Sequence, residues 1–269
     1  MKKILNIIFV VLFFQISVFA QTKSDTTYLK VMTFNIHHGE GIDGKIDLER
    51  IAEIFSKNNI DLVALQEVDE GVERTFRIKE LDTLSMLTKM QSYFSKNIEF
   101  QGGEYGNGIL SRFPILSKTN YHFKMIREGE QRGLLQTIVN LDGDSLLFMT
   151  THLDYRADDA ERVSNIDEIV AEVNKYPKMP VIICGDFNDT TMSRTYIKMT
   201  KYFSGVWSKI GNNREFTYPT ASPEKKIDFI FYLNRKDEIH IEPIKISVLN
   251  SNASDHLPVF AEFKVVKKR

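Results

Sequence analysis

The sequence predicts an α/β fold, and three observations carry that prediction. Eight short apolar runs, rich in β-branched and aromatic residues, recur along the chain in the manner of strands. Helical periodicity fills some of the intervals between them. Polar side chains abut six of the apolar runs at their ends, where α/β proteins place their chemistry. This mixture implies sheets with helices packed outside, and periodicity alone leaves the topology open.

Each element has its own justification. Tyr28–Ile36 is the first strand, with Asn35 at its end. Leu48, Ile51, Ala52, Ile54 and Phe55 then share one helical face, and Asp47 is placed to cap it. Leu62–Gln66 is the second strand and runs into Glu67. Leu81, Leu84, Leu87 and Met90 give a further helical pattern. Tyr93 to Gly106 reads as a loop, either a lid or a lipid-contacting hairpin, before a strand at Gly108–Leu110. Leu134–Val139 and Leu146–Thr151 follow, the latter ending in His152 and Asp154. Val163, Ile166, Ile169, Val170 and Val173 form another helical face, with Asp158 and Glu161 spaced as a capping box. Val181–Cys184 leads into Asp186 and Asn188. Ile227–Tyr232 contains Asp228, and Pro258–Val265 is preceded by Asp255 and His256.

Composition sets the bounds. The chain has 269 residues, 42% hydrophobic and 26% charged, and its net charge is -1. A chain of this length buries a sizeable core. No linker divides it, so one domain is expected from about Thr27 to Lys268. The first twenty residues begin with Lys2 and Lys3, continue through an apolar run, and end in Val18-Phe19-Ala20. That is the pattern of a secretory signal peptide cleaved near Ala20, which implies a periplasmic or secreted protein. Removing Lys2 and Lys3 leaves 33 basic against 36 acidic residues, a balance of -3. Such a balance disfavours a nuclease that holds DNA by non-specific charge. Cys184 is the only cysteine, so no intrachain disulfide forms, and its apolar surroundings mark it as a small buried residue.

A lone Asp at a strand end is ordinarily a turn former. Six strands ending this way call for chemistry instead. Glu67 and Asp255 suit a hard divalent cation such as Mg²⁺, which takes one or two carboxylates and leaves its other positions to water and phosphate. Asp186 and Asn188, two apart, point to one side. One can direct a water while the other donates to a phosphate oxygen. His152 and His256 can bind phosphate or move protons, with Asp228 fixing a tautomer. The Cys/His spacing of zinc sites, the G-x-S-x-G elbow and the P-loop are all missing from the sequence. Metal-assisted hydrolysis of a phosphate ester is the reaction that uses these parts.

Eight segments carry a resemblance: TFNIHHGEG, DLVALQEVD, YGNGILSRFPI, QRGLLQTIV, THLDYR, GDFND, KIDFIFY and SDHLPVFAEF. In this order, across Thr33 to Phe263, they resemble the endonuclease/exonuclease/phosphatase superfamily. That group includes deoxyribonucleases, abasic-site nucleases, inositol polyphosphate phosphatases and bacterial sphingomyelinases. The resemblance implies a four-layer α/β/β/α sandwich of two mixed sheets with outer helices. It implies metal binding by Glu67, Asn35 and Asp255, with Mg²⁺ or Mn²⁺ as cofactor. It assigns Asp186 to the attacking water, Asn188 and His256 to the phosphate, and Asp228 to orienting His256. His152 matches a histidine of the nuclease, phosphatase and sphingomyelinase branches, where abasic-site nucleases usually carry Tyr. Asn107 and Arg132 match positions close to substrate; a structural hydrogen bond and a salt bridge are their alternatives.

Other residues keep two readings at this level. His37 and His38 sit at the mouth of the site or in an exposed loop. Arg156 reaches a leaving group or is solvated. Lys225 and Lys226 add charge near the site or form a solvated pair. Trp207 and the aromatics between 202 and 218 wall the substrate or pack the core. The expected activity is hydrolysis of phosphodiesters, with a small diester, a phospholipid headgroup or nucleic acid as substrate. The alternatives are a monoesterase acting on inositol or sugar phosphates and a catalytically silent binding protein. No stable protein partner is inferred, and a monomer is expected.

Overall fold

The computed structural model describes residues 25–211, 215–235 and 239–267. The signal-peptide pattern of residues 1–20 and the expected domain end at Lys268 lie outside them. In chain order the elements are β1 (Asp25–Asn35), α1 (Leu48–Lys57), β2 (Leu62–Glu70), α2 (Glu80–Thr88), β3 (Gln91–Phe100), β4 (Gly103–Ser111), β5 (Ile115–His122), β6 (Gly133–Leu141) and β7 (Asp144–His152). They continue as α3 (Ala160–Asn174), β8 (Val181–Asp186), α4 (Arg194–Met199), β9 (Ser204–Gly205), α5 (Val206–Ile210), β10 (Asp228–Leu233), β11 (Ile239–Val248) and β12 (Val259–Lys267).

The strands form two six-stranded mixed sheets, ordered β11-β12-β1-β2-β4-β3 and β5-β6-β7-β8-β10-β9. Each sheet has one parallel pair near its centre, β1 with β2 and β7 with β8. A parallel pair needs a crossover, and here a helix supplies it: α1 in one sheet and α3 in the other. The C-terminal ends of these two pairs carry Asn35, Glu67, His152 and Asp186.

Side-chain alternation sorts the core. In β2, Leu62 and Ala64 join the large cluster between the sheets, while Val63 and Leu65 join a second cluster with Leu48, Ile51 and Phe55 of α1. On the far side, Ile166, Ile169 and Val173 of α3 pack against the second sheet. The layers therefore run helix, sheet, sheet, helix. Between the sheets, Gln66 Nε2 donates to Thr150 Oγ1 at 2.8 Å, a polar stitch beneath the site. Cys184 is fully buried.

Local expectations meet the structure unevenly. Asp47 caps α1 by accepting from the Arg50 N–H at 2.9 Å. The capping box of α3 does not form: Asp159 is the N-cap residue, and Glu161 turns away to accept from the Ile126 N–H at 3.1 Å. The loop expected from Tyr93 to Gly106 is instead the β3–β4 hairpin. Its two-residue turn, Gln101 and Gly102, has φ of 43° and 72°, the left-handed pair that matches strand twist.

Candidate active site

Strand register assembles the site. Asp186 ends β8; its parallel neighbour on β7 is His152 and its antiparallel neighbour on β10 is Asp228. Three polar residues thus lie in a row across one sheet. Gly185 allows the close approach: a Cβ there would sit 2.0 Å from the Thr151 carbonyl oxygen. Phe187 answers why an aromatic interrupts the polar run. It is buried against Phe229 and Phe231, with ring centroids 5.8 and 5.2 Å away, and so pins the chain between Asp186 and Asn188.

Asp186 is the hub. Its Oδ1 accepts from the Asn188 N–H at 2.8 Å. Its Oδ2 accepts from Asn35 Nδ2 at 3.1 Å, and faces His152 Nε2 at 3.5 Å and His256 Nε2 at 3.6 Å. Burial lifts the Asp186 carboxyl to about 7, reinforced by the charge of Asp228. His256 responds to the same carboxylates. Burial opposes its charge, but Asp228 and Asp186 outweigh that and lift it to about 10. The Asp228 Oδ2 lies 3.0 Å from His256 Nδ1 and fixes the ring. Tyr218 packs against that ring, with centroids 4.7 Å apart. His152 is the opposite case. Burial, then the charges of Arg132 and His256, hold it well below the usual imidazole range. The two histidines on Asp186 therefore differ in protonation at neutral pH.

Asn188 adopts a left-handed backbone with φ of 50°, which Asn tolerates well. Its Nδ2 bonds His152 Nε2 at 2.9 Å and the Leu153 carbonyl at 3.0 Å. Both amide hydrogens are thus engaged within the protein, so donation to a substrate oxygen requires one bond to be exchanged.

Glu67 sits at a bulge between Leu65 and Val68, with φ of 57°. Bulges re-aim side chains beside functional sites. Glu67 Oε1 accepts from Asn35 Nδ2 at 2.9 Å, so one amide holds the carboxylates of both sheets together. Asn35 Oδ1 in turn accepts from the His37 N–H at 3.1 Å. Asp255 is half-buried, and its neighbour Ser254 donates to the Asn35 carbonyl at 2.7 Å, which ties the two segments.

These groups line a cavity of about 500 Å³ whose walls include Glu67, His152, Asp186, Asn188, Asp255 and His256. Arg132 lies in the wall, buried and 3.1 Å from Glu130. Asn107 is buried opposite the Glu67 bulge, with an Nδ2 that lacks a partner, but it does not line the cavity. Lys225 and Tyr218 line it, whereas Trp207 is buried elsewhere with Lys226 Nζ 3.9 Å from its ring centroid. Arg156 is bound to Asp154 at 2.8 Å and lies outside the wall. His37 and His38 are neither cavity-lining nor loop-exposed; they pack beside Glu67.

Sequence reasoning missed four wall residues: Tyr105, Glu130, Tyr155 and Ile227, the last read only as the start of a strand. Tyr105 stands two positions before Asn107 on β4, so the period of two that governs strands puts it on the same face. Glu130 stands two before Arg132 in the irregular stretch that leads into β6, where no strand period could have pointed to it. Tyr155 comes directly after the THLD segment.

Among the described residues, two groups bring potential metal donors within 4.8 Å of one another: His37, His38 and Glu67, and Asp186, Asp228 and His256. In the second group His256 Nδ1 is already engaged by Asp228 Oδ2 at 3.0 Å. Glu67 shares the cavity wall with Asp255, and such an oxygen donor pair fits a hard divalent cation.

Known proteins bear out the fold. A curated relative, the uncharacterized protein YbhP of Escherichia coli K12, is 25% identical over 246 residues, spanning 87% of this chain and 95% of the relative. A mannosyl-6-phosphatase of Bacteroides thetaiotaomicron superposes with a TM-score of 0.70 at 18% identity, over 87% of this chain and 99% of that one. TDP2 of D. rerio, complexed with single strand DNA product, gives 0.70 at 18% identity, over 88% and 99%. The sequence model of the Endonuclease/Exonuclease/phosphatase family matches residues 32–256, and the chain belongs to that family.

Proposed function

We propose that this chain is an exported, divalent-metal-dependent hydrolase of phosphate esters, acting mainly on phosphodiesters by in-line attack of an activated water. The observation that carries the reading is the environment of Asp186. A carboxylate buried at the cavity floor and lifted to about 7 is tuned for general-base work near neutral pH. The Asn35 amide holds its Oδ2 at 3.1 Å, and His256 Nε2 faces it at 3.6 Å.

Each residue then has a task. Asp186 accepts the proton of the attacking water. Charged His256, oriented by Asp228, donates through Nε2 to a phosphate oxygen. Neutral His152 holds Asn188 at the cavity wall, and Asn188 donates to a non-bridging oxygen once one of its internal bonds is exchanged. Arg132 offers a buried positive charge to the phosphate. Glu67 and Asp255, with Asn35 beside them, would hold a Mg²⁺ or Mn²⁺ ion, which would supply Lewis-acid polarisation of the phosphoryl oxygen and offset charge on the leaving oxygen. Asn35 keeps Glu67 and Asp186 in register across the two sheets.

A phosphomonoesterase reading has one observation in its favour. Glu130 faces Arg132 in the wall, so the cavity pairs a carboxylate with its cations, and such a wall suits the hydroxyls of a sugar or inositol phosphate. A mannosyl-6-phosphatase shares the fold. The silent-binder reading needs a broken constellation, and this one is complete. Export rests on the pattern of the first twenty residues.

The test is nitrophenol release from bis-nitrophenyl phosphate and from the monoester, after EDTA treatment and resupply of Mg²⁺ or Mn²⁺. Metal-dependent diester cleavage is the expected result. Cleavage of the monoester alone selects the second reading, and no metal-dependent cleavage of either contradicts both.

A further inference from the structure

Glu67 stands where the sheet cannot hold it. Its φ of 57° lies in the left-handed region, which carries a steric cost for any residue with a Cβ. β1 pairs with β2 only as far as Gln66, and the register against β4 shifts between Leu65 and Val68. Neither neighbouring strand therefore pairs with Glu67 itself.

Support comes instead from the start of α2. The Asp69 N–H donates to Glu80 Oε2 at 2.8 Å, and the Leu81 N–H donates to Glu70 Oε1 at 2.8 Å. Two reciprocal bonds thus strap α2 to β2, two and three residues beyond Glu67. Glu80 is fully buried, an acid for which the proposed reaction has no use. Burial pushes its carboxyl well above the usual range, which favours its neutral form. Its Oε1 has no hydrogen-bond partner and lies against the turn that follows Asn35: a Cβ on Gly39 would stand 3.1 Å from it. Asn35 is the residue whose Nδ2 bonds Glu67 Oε1. Glu80 is therefore wedged between the two segments that carry Asn35 and Glu67.

An apolar side chain would fill the same space without the cost of burying a carboxyl. What an acceptor alone supplies is a partner for the Asp69 N–H, which belongs to a fully buried residue. We propose that Glu80 is a positioning residue for the metal site: by holding the Asp69 N–H from α2, it fixes the bulge that aims Glu67 into the cavity. It touches neither substrate nor ion. The inference rests on the reading of Glu67 as a metal ligand and adds a residue that acts through it.

The experiment measures Mn²⁺ affinity from the free-ion EPR signal, on folded protein well below its Tm, together with kcat/KM for bis-nitrophenyl phosphate. Glu80→Leu removes the acceptor and keeps the bulk, whereas Glu80→Gln keeps a neutral acceptor of the same length. Groups that orient a metal ligand from behind change affinity by about 10–100-fold when lost, and Glu80→Leu is expected to lose about tenfold in Mn²⁺ affinity, with kcat/KM falling at least as far. Glu80→Gln is expected to restore both. A Glu80→Leu protein with lowered Tm but wild-type Mn²⁺ affinity overturns the proposal, because the residue then serves stability alone. Should Glu80→Leu fail to fold, Glu80→Asp decides, since it is one methylene shorter than the side chain that reaches Asp69. Failure of both to fold assigns Glu80 to the fold as a whole and also overturns the proposal. Glu67→Gln separates the two readings. Unchanged Mn²⁺ affinity in Glu67→Gln overturns the metal-ligand assignment, whereas loss in Glu67→Gln with none in Glu80→Leu overturns the role of Glu80 alone.

Discussion

Asp228 Oδ2 lies 3.0 Å from His256 Nδ1, on the side of the ring opposite the nitrogen that faces Asp186. The carboxylate thus charges the imidazole from behind while its front remains free to donate. A pH profile follows. Asp186 accepts a proton only when ionised, so kcat/KM for a nitrophenyl diester rises as pH passes about 7. His256 donates only when protonated, so the rate falls as pH passes about 10. Asp228→Asn removes the charge that raises His256, and the alkaline limb moves to lower pH. An alkaline limb unmoved by that substitution contradicts the assignment.

Phe187 separates Asp186 from Asn188 by anchoring in the aromatic cluster. Phe187→Ala is expected to cost about 3–5 kcal/mol of stability in urea denaturation, from lost burial and the cavity left behind. Turnover should fall as well, because both polar neighbours lose their fixed spacing. A variant with unchanged urea midpoint contradicts the anchoring role.

Arg74 bonds the buried Asp69 carboxylate twice and lies over the rings of Phe100 and Tyr105, at 4.8 and 5.5 Å from their centroids. Lysine cannot reproduce the paired geometry or the stacking. Arg74→Lys is expected to lower stability by about 1.5–3 kcal/mol. Because Tyr105 is a cavity wall, KM should rise more than kcat falls. Equal effects on both constants would place the residue outside substrate binding.

Glu70 accepts from the Leu81 N–H at 2.8 Å at the start of α2. Burial lifts its carboxyl from 4.5 to about 7. A folded pKa above the unfolded value favours the protonated fold. Its contribution is fully present below pH 4.5 and is lost as pH rises to about 7. Glu70→Gln keeps the acceptor oxygen and removes the titration, so the decline of Tm across that window should flatten. Thermal melts at a series of pH values check this, and parallel curves for the two proteins count against it.

The strands legible in the sequence are β1, β2, β4, β6, β7, β8, β10 and β12, which are the interior strands of the two sheets. The four that escaped, β3, β5, β9 and β11, are the four sheet edges. An interior strand such as β8 is buried throughout, and its Val181–Cys184 stretch reads as an unbroken apolar run. An edge strand such as Ile115–His122 is largely exposed, and its alternation is lost among polar residues. The row of polar residues at the cavity was legible from the same apolar strands. His152, Asp186 and Asp228 stand at the ends of interior strands, where a polar residue beside an apolar run stands out. What no spacing discloses is the bulge at Glu67, because a single inserted residue leaves no mark on composition. His37 and His38 were singled out in the sequence, but their left-handed backbone was not legible, since it comes from the turn held by Asn35.

The most direct test of the account compares wild type with Asp186→Asn on bis-nitrophenyl phosphate, both supplied with the same divalent metal and both checked for folding by circular dichroism. The substitution keeps size and hydrogen-bonding shape but removes the base. A loss of about 10²–10⁴-fold in kcat with metal binding intact is expected. A variant that retains wild-type turnover would show that Asp186 does not activate the water, and the site as described here would not be the catalytic one.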